Sequence, residues 1–133
     1  MSAVKQIVTG DRVARFVGDR NAQRVIPPYT ALGVECRGDI IAGAIFRNYT
    51  KFDIEVMVVG ELKAFTPGFV RSIGRYVFDQ LECERLSMWT DQPRVIALAE
   101  RLGAQFEGVK RNGFGKGRDV TLLGVLREDW KFK

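Results

Sequence analysis

Between Phe52 and Leu81 the chain reads as a strand, a short loop and a capped helix, and this order limits the possible folds more than any other stretch. Phe52–Val59 (Phe-Asp-Ile-Glu-Val-Met-Val-Val) is β-rich and stops at Gly60, which predicts a strand. Asp53, Glu55, Met57 and Val59 then share one face, by the two-residue period. Further on, Phe69, Ile73, Val77 and Leu81 recur every four residues, and Val70 and Phe78 widen the stripe. Arg71, Arg75 and Asp79 fall off it, so the segment predicts an amphipathic helix with one buried face. Thr66 is placed to cap that helix and Pro67 suits its first position. A helix start leaves backbone N–H groups unpaired, and the helix dipole adds positive charge there. The unit therefore predicts a site for a phosphate.

A chain of 133 residues suits one domain spanning 1–133 with a real core. No apolar run approaches the roughly 20 residues that cross a bilayer. The start has no signal-like apolar core, so a soluble, cytoplasmic protein is expected. Cys36 and Cys83 form no CxxC and read as small buried thiols. The sequence has no histidine. That excludes Ser-His-Asp and Cys-His mechanisms and removes the commonest zinc ligand; no metal site is expected. Acid–base chemistry falls to carboxylates, Tyr, Cys, Lys, water or the substrate. The net charge of +5 is uneven: residues 109–133 carry seven basic and three acidic side chains. This favours anionic ligands but is not a nucleic-acid-binding composition.

Taken in order, Asp11–Asp19 has a short amphipathic pattern (Val13, Phe16, Val17) with Asp11 as a candidate cap. Pro27-Pro28 ends any helix. Thr30–Cys36 and Ile40–Tyr49 read as a hairpin turning at Arg37-Gly38-Asp39. After the central unit, Arg85–Thr90 is a strand and Pro93–Leu102 a helix capped by Asp91 or Gln92 and closed by Gly103. Ala104–Arg111 and Asp119–Leu126 are the last strands, around a glycine-rich turn. The expected order is α, β, β, β, α, β, α, β, β, a mixed α/β sheet with helices on both faces and one parallel join.

This order resembles the GCN5-related N-acetyltransferase superfamily. The family's phosphate loop, Arg/Gln-x-x-Gly-x-Gly/Ala, corresponds to Lys63-Ala64-Phe65-Thr66-Pro67-Gly68, where Lys63 and Gly68 fit and Thr66 replaces the first glycine. Downstream, Tyr76-x-Phe78-Asp79-Gln80-Leu81, Arg85-Leu86, Leu102-Gly103 and Glu107-Gly108 are similar to compact bacterial and phage-type members, over roughly residues 30–127. Asp91-Gln92-Pro93 stands where the family often has Asn. Ala99 stands where many members have a Tyr that protonates the leaving thiolate.

The resemblance implies acetyl-CoA as cosubstrate. Thr66, Pro67, Gly68, Phe69 and Val70 would hold its pyrophosphate through backbone N–H groups, with Lys63 and Arg71 adding charge. Met57, Val58 and Val59 would offer backbone to the pantetheine arm. Glu55 is the candidate catalytic base; its competing reading, like that of Glu35, is an ion pair with Arg47 or Arg37. Lys110, Arg111, Lys116 and Arg118 flank Phe114 and read either as a solvated hairpin tip or as a grip for an acidic acceptor or nucleic acid.

Two functions follow. One is an acetyl-CoA-dependent N-acetyltransferase acting on a small-molecule or peptide amine. The other is a non-catalytic module on the same fold, with the basic hairpin binding nucleic acid or protein. A homodimer is what many relatives form, and no membrane partner is expected.

Overall fold

The computed structural model describes residues 4–133. Its seven strands form a single sheet in the order β1-β2-β3-β4-β5-β7-β6. The strands are β1 (Lys5–Val8), β2 (Thr30–Cys36), β3 (Asp39–Arg47), β4 (Asp53–Gly60), β5 (Arg85–Thr90), β6 (Gln105–Lys110) and β7 (Val120–Leu126). The helices are α1 (Asp11–Arg20), α2 (Pro67–Gly74) and α3 (Pro93–Arg101). Only β4 and β5 run parallel; every other neighbouring pair is antiparallel. Among the described residues no helix is long and apolar enough to cross a membrane.

The central unit forms as its residues dictate. Thr66 caps α2, the Phe69 N–H donating to its Oγ1 at 3.2 Å, and Pro67 opens the helix. The helix does not run on regularly: Arg75–Gln80 is a π-helical continuation. Phe69, Val70, Ile73, Val77 and Phe78 are buried against the sheet. Arg37 and Gly38 both have positive φ, 55° and 83°, so Arg-Gly-Asp is a tight hairpin turn.

The helices divide between the two faces. Val13, Ala14 and Val17 of α1 pack with Ile45, Met57 and Val59. α1 can come this close because Gly33 and Gly43, paired across β2 and β3, lie beneath it; a Cβ on Gly43 would stand 2.6 Å from Val17 Cγ2. On the other face α2 and α3 bury Phe69, Val70, Ile73, Val95 and Ala99 against Val56, Val58, Leu86 and Met88. Trp130 closes that layer, its indole lying against Gly74.

Several expectations are corrected. Residues 5–8 form an edge strand that the sequence reading did not include. Asp11 does not cap α1: the cap position is Gly10, and the Asp11 carboxylate accepts a bond from the Tyr29 hydroxyl at 2.7 Å. Neither Asp91 nor the Gln92 side chain caps α3, although Gln92 occupies the cap position. The glycine-rich turn is a solvated tip only in part: Arg111, Gly115, Lys116 and Gly117 are exposed, but two of its side chains turn inward. Phe114 folds back into the α1-side core at 1% exposure, and Arg118 pairs with Asp91 at 2.8 Å. Local glycines set the turn, but burial of one aromatic sets its direction.

Candidate functional site

The site begins where one ladder stops. β4 and β5 pair from Asp53↔Arg85 to Met57↔Trp89. β4 continues through Val58, Val59 and Gly60, which pair with Ala44, Gly43 and Ala42 of β3. No β5 residue faces these three on the other side, so the parallel strands fork. Strand backbone at the fork has hydrogen-bonding groups without a strand partner, and a ligand can take that place.

A cleft of about 750 Å³ opens at the C-terminal end of β4. Val59, Gly60, Glu61 and Lys63 form one wall, Phe16 and Arg20 of α1 another, and Asp91 to Arg94 at the start of α3 the third. Its charge is mostly basic. Lys63 pairs with Glu61 at 3.3 Å and Asp91 with Arg118, while Arg20 and Arg94 form no ion pair among the described residues. Arg20 lies over the Phe16 ring at 3.6 Å. The Gln92 Oε1 is enclosed and has no hydrogen-bond partner among the described residues. Sequence reading gave Gln92 only a capping role; its position one residue before a helical proline was the available signal.

The expected site residues do not all meet in this cleft. Val59 and Lys63 line it. Met57 and Val58 precede Val59 on β4 and are buried, so they offer backbone only. Thr66, Pro67 and Gly68 form the α2 start, where Thr66 Oγ1 takes the Phe69 N–H and the Thr66 carbonyl takes the Val70 N–H. Pro67 has no N–H, which leaves that of Gly68 as the first-turn donor without a protein partner. A Cβ on Gly68 would have open space, with only Ile7 Cδ1 as near as 4.0 Å. Phe69 and Val70 are buried by their side chains. Val58, Val70 and Ala99 share a small apolar cavity of about 30 Å³ between α2, α3 and the sheet. Arg71 lies elsewhere, over the Phe132 ring at 4.8 Å.

Glu55 sits nearer the start of β4, on the face that carries α1, as the period-two reading has it. It does not line the cleft. The alternative ion pair with Arg47 or Arg37 is also not formed: Asn48 Nδ2 donates to Glu55 Oε2 at 2.7 Å. Glu35 pairs with Arg12 at 2.8 Å, not with Arg37 or Arg47. Beside Glu55, Arg85 bridges Asp53 and Glu107, and the hydrogen bond it donates to the Glu107 carboxylate holds the guanidinium pKa above its ordinary value, against the effect of burial. Among the described residues no group of acidic, cysteine or histidine side chains could hold a metal.

No protein-family model matches the chain, and no curated protein sequence does. Solved structures do. A mutant form of the spermidine N-acetyltransferase SpeG from Vibrio cholerae aligns with a TM-score of 0.69 at 16% identity, covering 94% of this chain and 96% of that one. A dodecameric structure of the same enzyme gives 0.65 at 16% identity, with 93% and 94% covered. A protein described as an acetyltransferase from T. thermophilus gives 0.63 at 21% identity, over 79% of this chain and 62% of the other. Likeness at this level of identity is a likeness of fold. The forked β4 and β5, the capped helix that follows and the seven-stranded mixed sheet are the α/β fold of the GCN5-related N-acetyltransferases.

Proposed function

We propose that the protein is an acetyl-CoA-dependent N-acetyltransferase that passes the acetyl group directly to an amine. The observation that carries this reading is the fork: β4 runs three residues past its last β5 partner, straight into a cleft with a basic rim. Arg20, Lys63 and Arg94 suit the phosphates of a CoA thioester, and the unpaired Gly68 N–H lies at the positive end of α2. Met57, Val58 and Val59 supply strand backbone for the pantetheine amides, and within Thr66 to Val70 the Gly68 N–H is the donor left for the pyrophosphate end, since those of Phe69 and Val70 bond Thr66. Gln92 Oε1 is a ready acceptor for an amide N–H there. Arg71, over Phe132, is left for the more distant phosphate.

The bound thioester supplies an activated acetyl carbonyl. A new N–C bond forms as the C–S bond breaks, and the amine gives up a proton. Backbone N–H groups of the free β4 edge are suited to the charge that develops on the carbonyl oxygen. Glu55 is the carboxylate proposed to accept the proton, from the α1 side of the sheet and through water, since it stands back from the cleft. Ala99 offers no acid to the departing sulfur, and a thiolate leaves without one.

The competing reading, a binding module without catalysis, draws on Ala99 and on Thr66 in place of the first loop glycine. Of its basic hairpin, Arg118 is paired with Asp91 within the fold and Phe114 is buried, which leaves Arg111 and Lys116 exposed at the turn. The spermidine named for SpeG is not carried over to this chain. Titration calorimetry with acetyl-CoA tests the proposal: saturable binding, with a Tm that rises with ligand, supports it. Absence of binding at millimolar acetyl-CoA overturns it and leaves the binding module.

A further inference from the structure

One half of the sheet carries no helix on the α1 face. α1 covers β2, β3 and β4, whereas Arg85, Ser87, Trp89, Leu122 and Lys110 on β5, β7 and β6 have no helix above them, Trp89 and Leu122 being half-buried against the cluster that holds Phe114. At the centre of this surface stands Trp89, the last β5 residue paired with β4, at the vertex of the fork.

Two cations converge on its ring. Arg47 comes from β3, crossing Met57 with Nη2 3.9 Å from the sulfur, and its guanidinium carbon lies 5.7 Å from the ring centroid. Lys110 comes from β6, on the far side of β7, and its Nζ lies 4.5 Å from the same centroid. Neither forms an ion pair among the described residues. The carboxylates near them are already occupied: Asp53 and Glu107 by Arg85, and Glu55 by Asn48. Two like charges held at one aromatic ring repel each other, and cation–π contacts of this kind return only about 0.5–1 kcal/mol at exposed sites. An anion drawn to both offsets the repulsion and gains a planar, two-pronged partner in Arg47. Glu55, whose cross-strand partner is Arg47, lies on the same face and carries the opposite charge. The surface is therefore dipolar, with cations at the fork and a carboxylate beside them.

We propose that Arg47 and Lys110, meeting at Trp89, hold an anionic group on the acceptor, so that the acceptor is an amine that also carries a carboxylate, an amino acid in its simplest form. This names the substrate class for the acetyl-transfer reading and rests on it. The ring of Trp89 seats the body of the acceptor, Arg47 and Lys110 take its carboxylate, and the amine is left facing Glu55 and the fork. A polyamine, cationic along its length, meets two like charges at this point and is disfavoured.

Trp89 also reports on the site, because the second tryptophan, Trp130, is buried in the other layer and supplies a constant background. The standard amino acids are titrated one by one, each against its own α-amide, with spermidine as the cationic control, while tryptophan emission is followed without and with acetyl-CoA. The expected result is at least one free acid that binds about tenfold more tightly than its amide, a difference of about 1.4 kcal/mol. Arg47→Gln and Lys110→Gln each abolish that preference. In steady-state assays they raise KM for the acid more than KM for the amide and leave KM for acetyl-CoA unchanged. Equal binding of acid and amide, preference for spermidine, or an acid preference that survives both substitutions overturns the proposal. Binding of no amino acid with acetyl-CoA bound overturns it as well. Acid preference without any affinity for acetyl-CoA keeps the anion seat and ends the acetyltransferase reading; acetyl-CoA binding without acid preference does the reverse.

Discussion

Met57 faces Trp89 in the last rung of the β4–β5 ladder, and the next β4 residue, Val58, has no partner on that side. The residues proposed for function come to the two sides of that rung from α1, α2, α3, β3, β4 and β6. The proposed pyrophosphate end, at the start of α2, follows it on the chain, and the proposed acceptor residues Arg47, Glu55 and Lys110 gather on the α1 face.

The α2 start is tested by Gly68→Asp. The new side chain has room, because only Ile7 Cδ1 comes as near as 4.0 Å to a Cβ there. A carboxylate at this point opposes a phosphate at the same helix end. Acetyl-CoA affinity should fall at least about tenfold, or about 1.4 kcal/mol, with Tm little changed. Unchanged affinity in calorimetry moves the phosphate away from α2.

Glu55→Gln tests proton removal. Glutamine keeps an oxygen for the Asn48 amide, so the β3–β4 turn should stay intact. kcat should fall about a hundredfold near neutral pH, within the usual range for general bases, with acetyl-CoA KM unchanged. The deficit should shrink as pH rises and the amine arrives neutral. A variant with full kcat across the pH range makes Glu55 a partner of Asn48 and nothing more.

The contact between Gly74 and Trp130 is tested by a double-mutant cycle. A methyl on Gly74 collides with the indole, so Gly74→Ala should cost about 1–3 kcal/mol as an overpacked site. Trp130→Ala should cost about 3–5 kcal/mol. Together they should cost less than the sum, because the added methyl enters the space the indole leaves. Urea denaturation measures all three, and strict additivity contradicts the contact.

Cys83 is buried, and burial pushes its thiol pKa up, with the Asp53 charge adding to the effect and Arg127 opposing it. A raised folded pKa means that the unfolded thiol ionises first. Its contribution to stability is therefore present below the ordinary value of 9.0 and is lost as pH rises above it. Iodoacetamide at pH 8 should label Cys36 alone in the folded protein, and both thiols in urea. Native labelling of Cys83, read by peptide mass, contradicts that packing.

The sequence made the central unit legible because its signals are local: β-rich residues to Gly60, then Thr66, Pro67 and a four-residue stripe. β1 was hidden because an exposed edge strand carries no alternating apolar pattern. The π-helical stretch after Gly74 was hidden because Ile73, Val77 and Leu81 keep an ordinary helical spacing. At the site, Thr66 and Lys63 could be named from their chain positions. Trp89, Arg47 and Lys110 come from β5, β3 and β6, and only the strand order β3-β4-β5-β7-β6 puts them together. Phe114 shows the same limit, since glycines on both sides read as a turn whichever way the aromatic points.

The fork also bears on the order of events in a catalytic cycle. A gap between two strands can be reached from both faces of a sheet, so neither substrate has to vacate the space the other needs. Among the described residues the cleft wall contains no serine, threonine or cysteine on which an acyl group could wait. Initial-rate plots against either substrate should therefore converge to the left of the axis as the other is varied, and product release need not precede the second arrival.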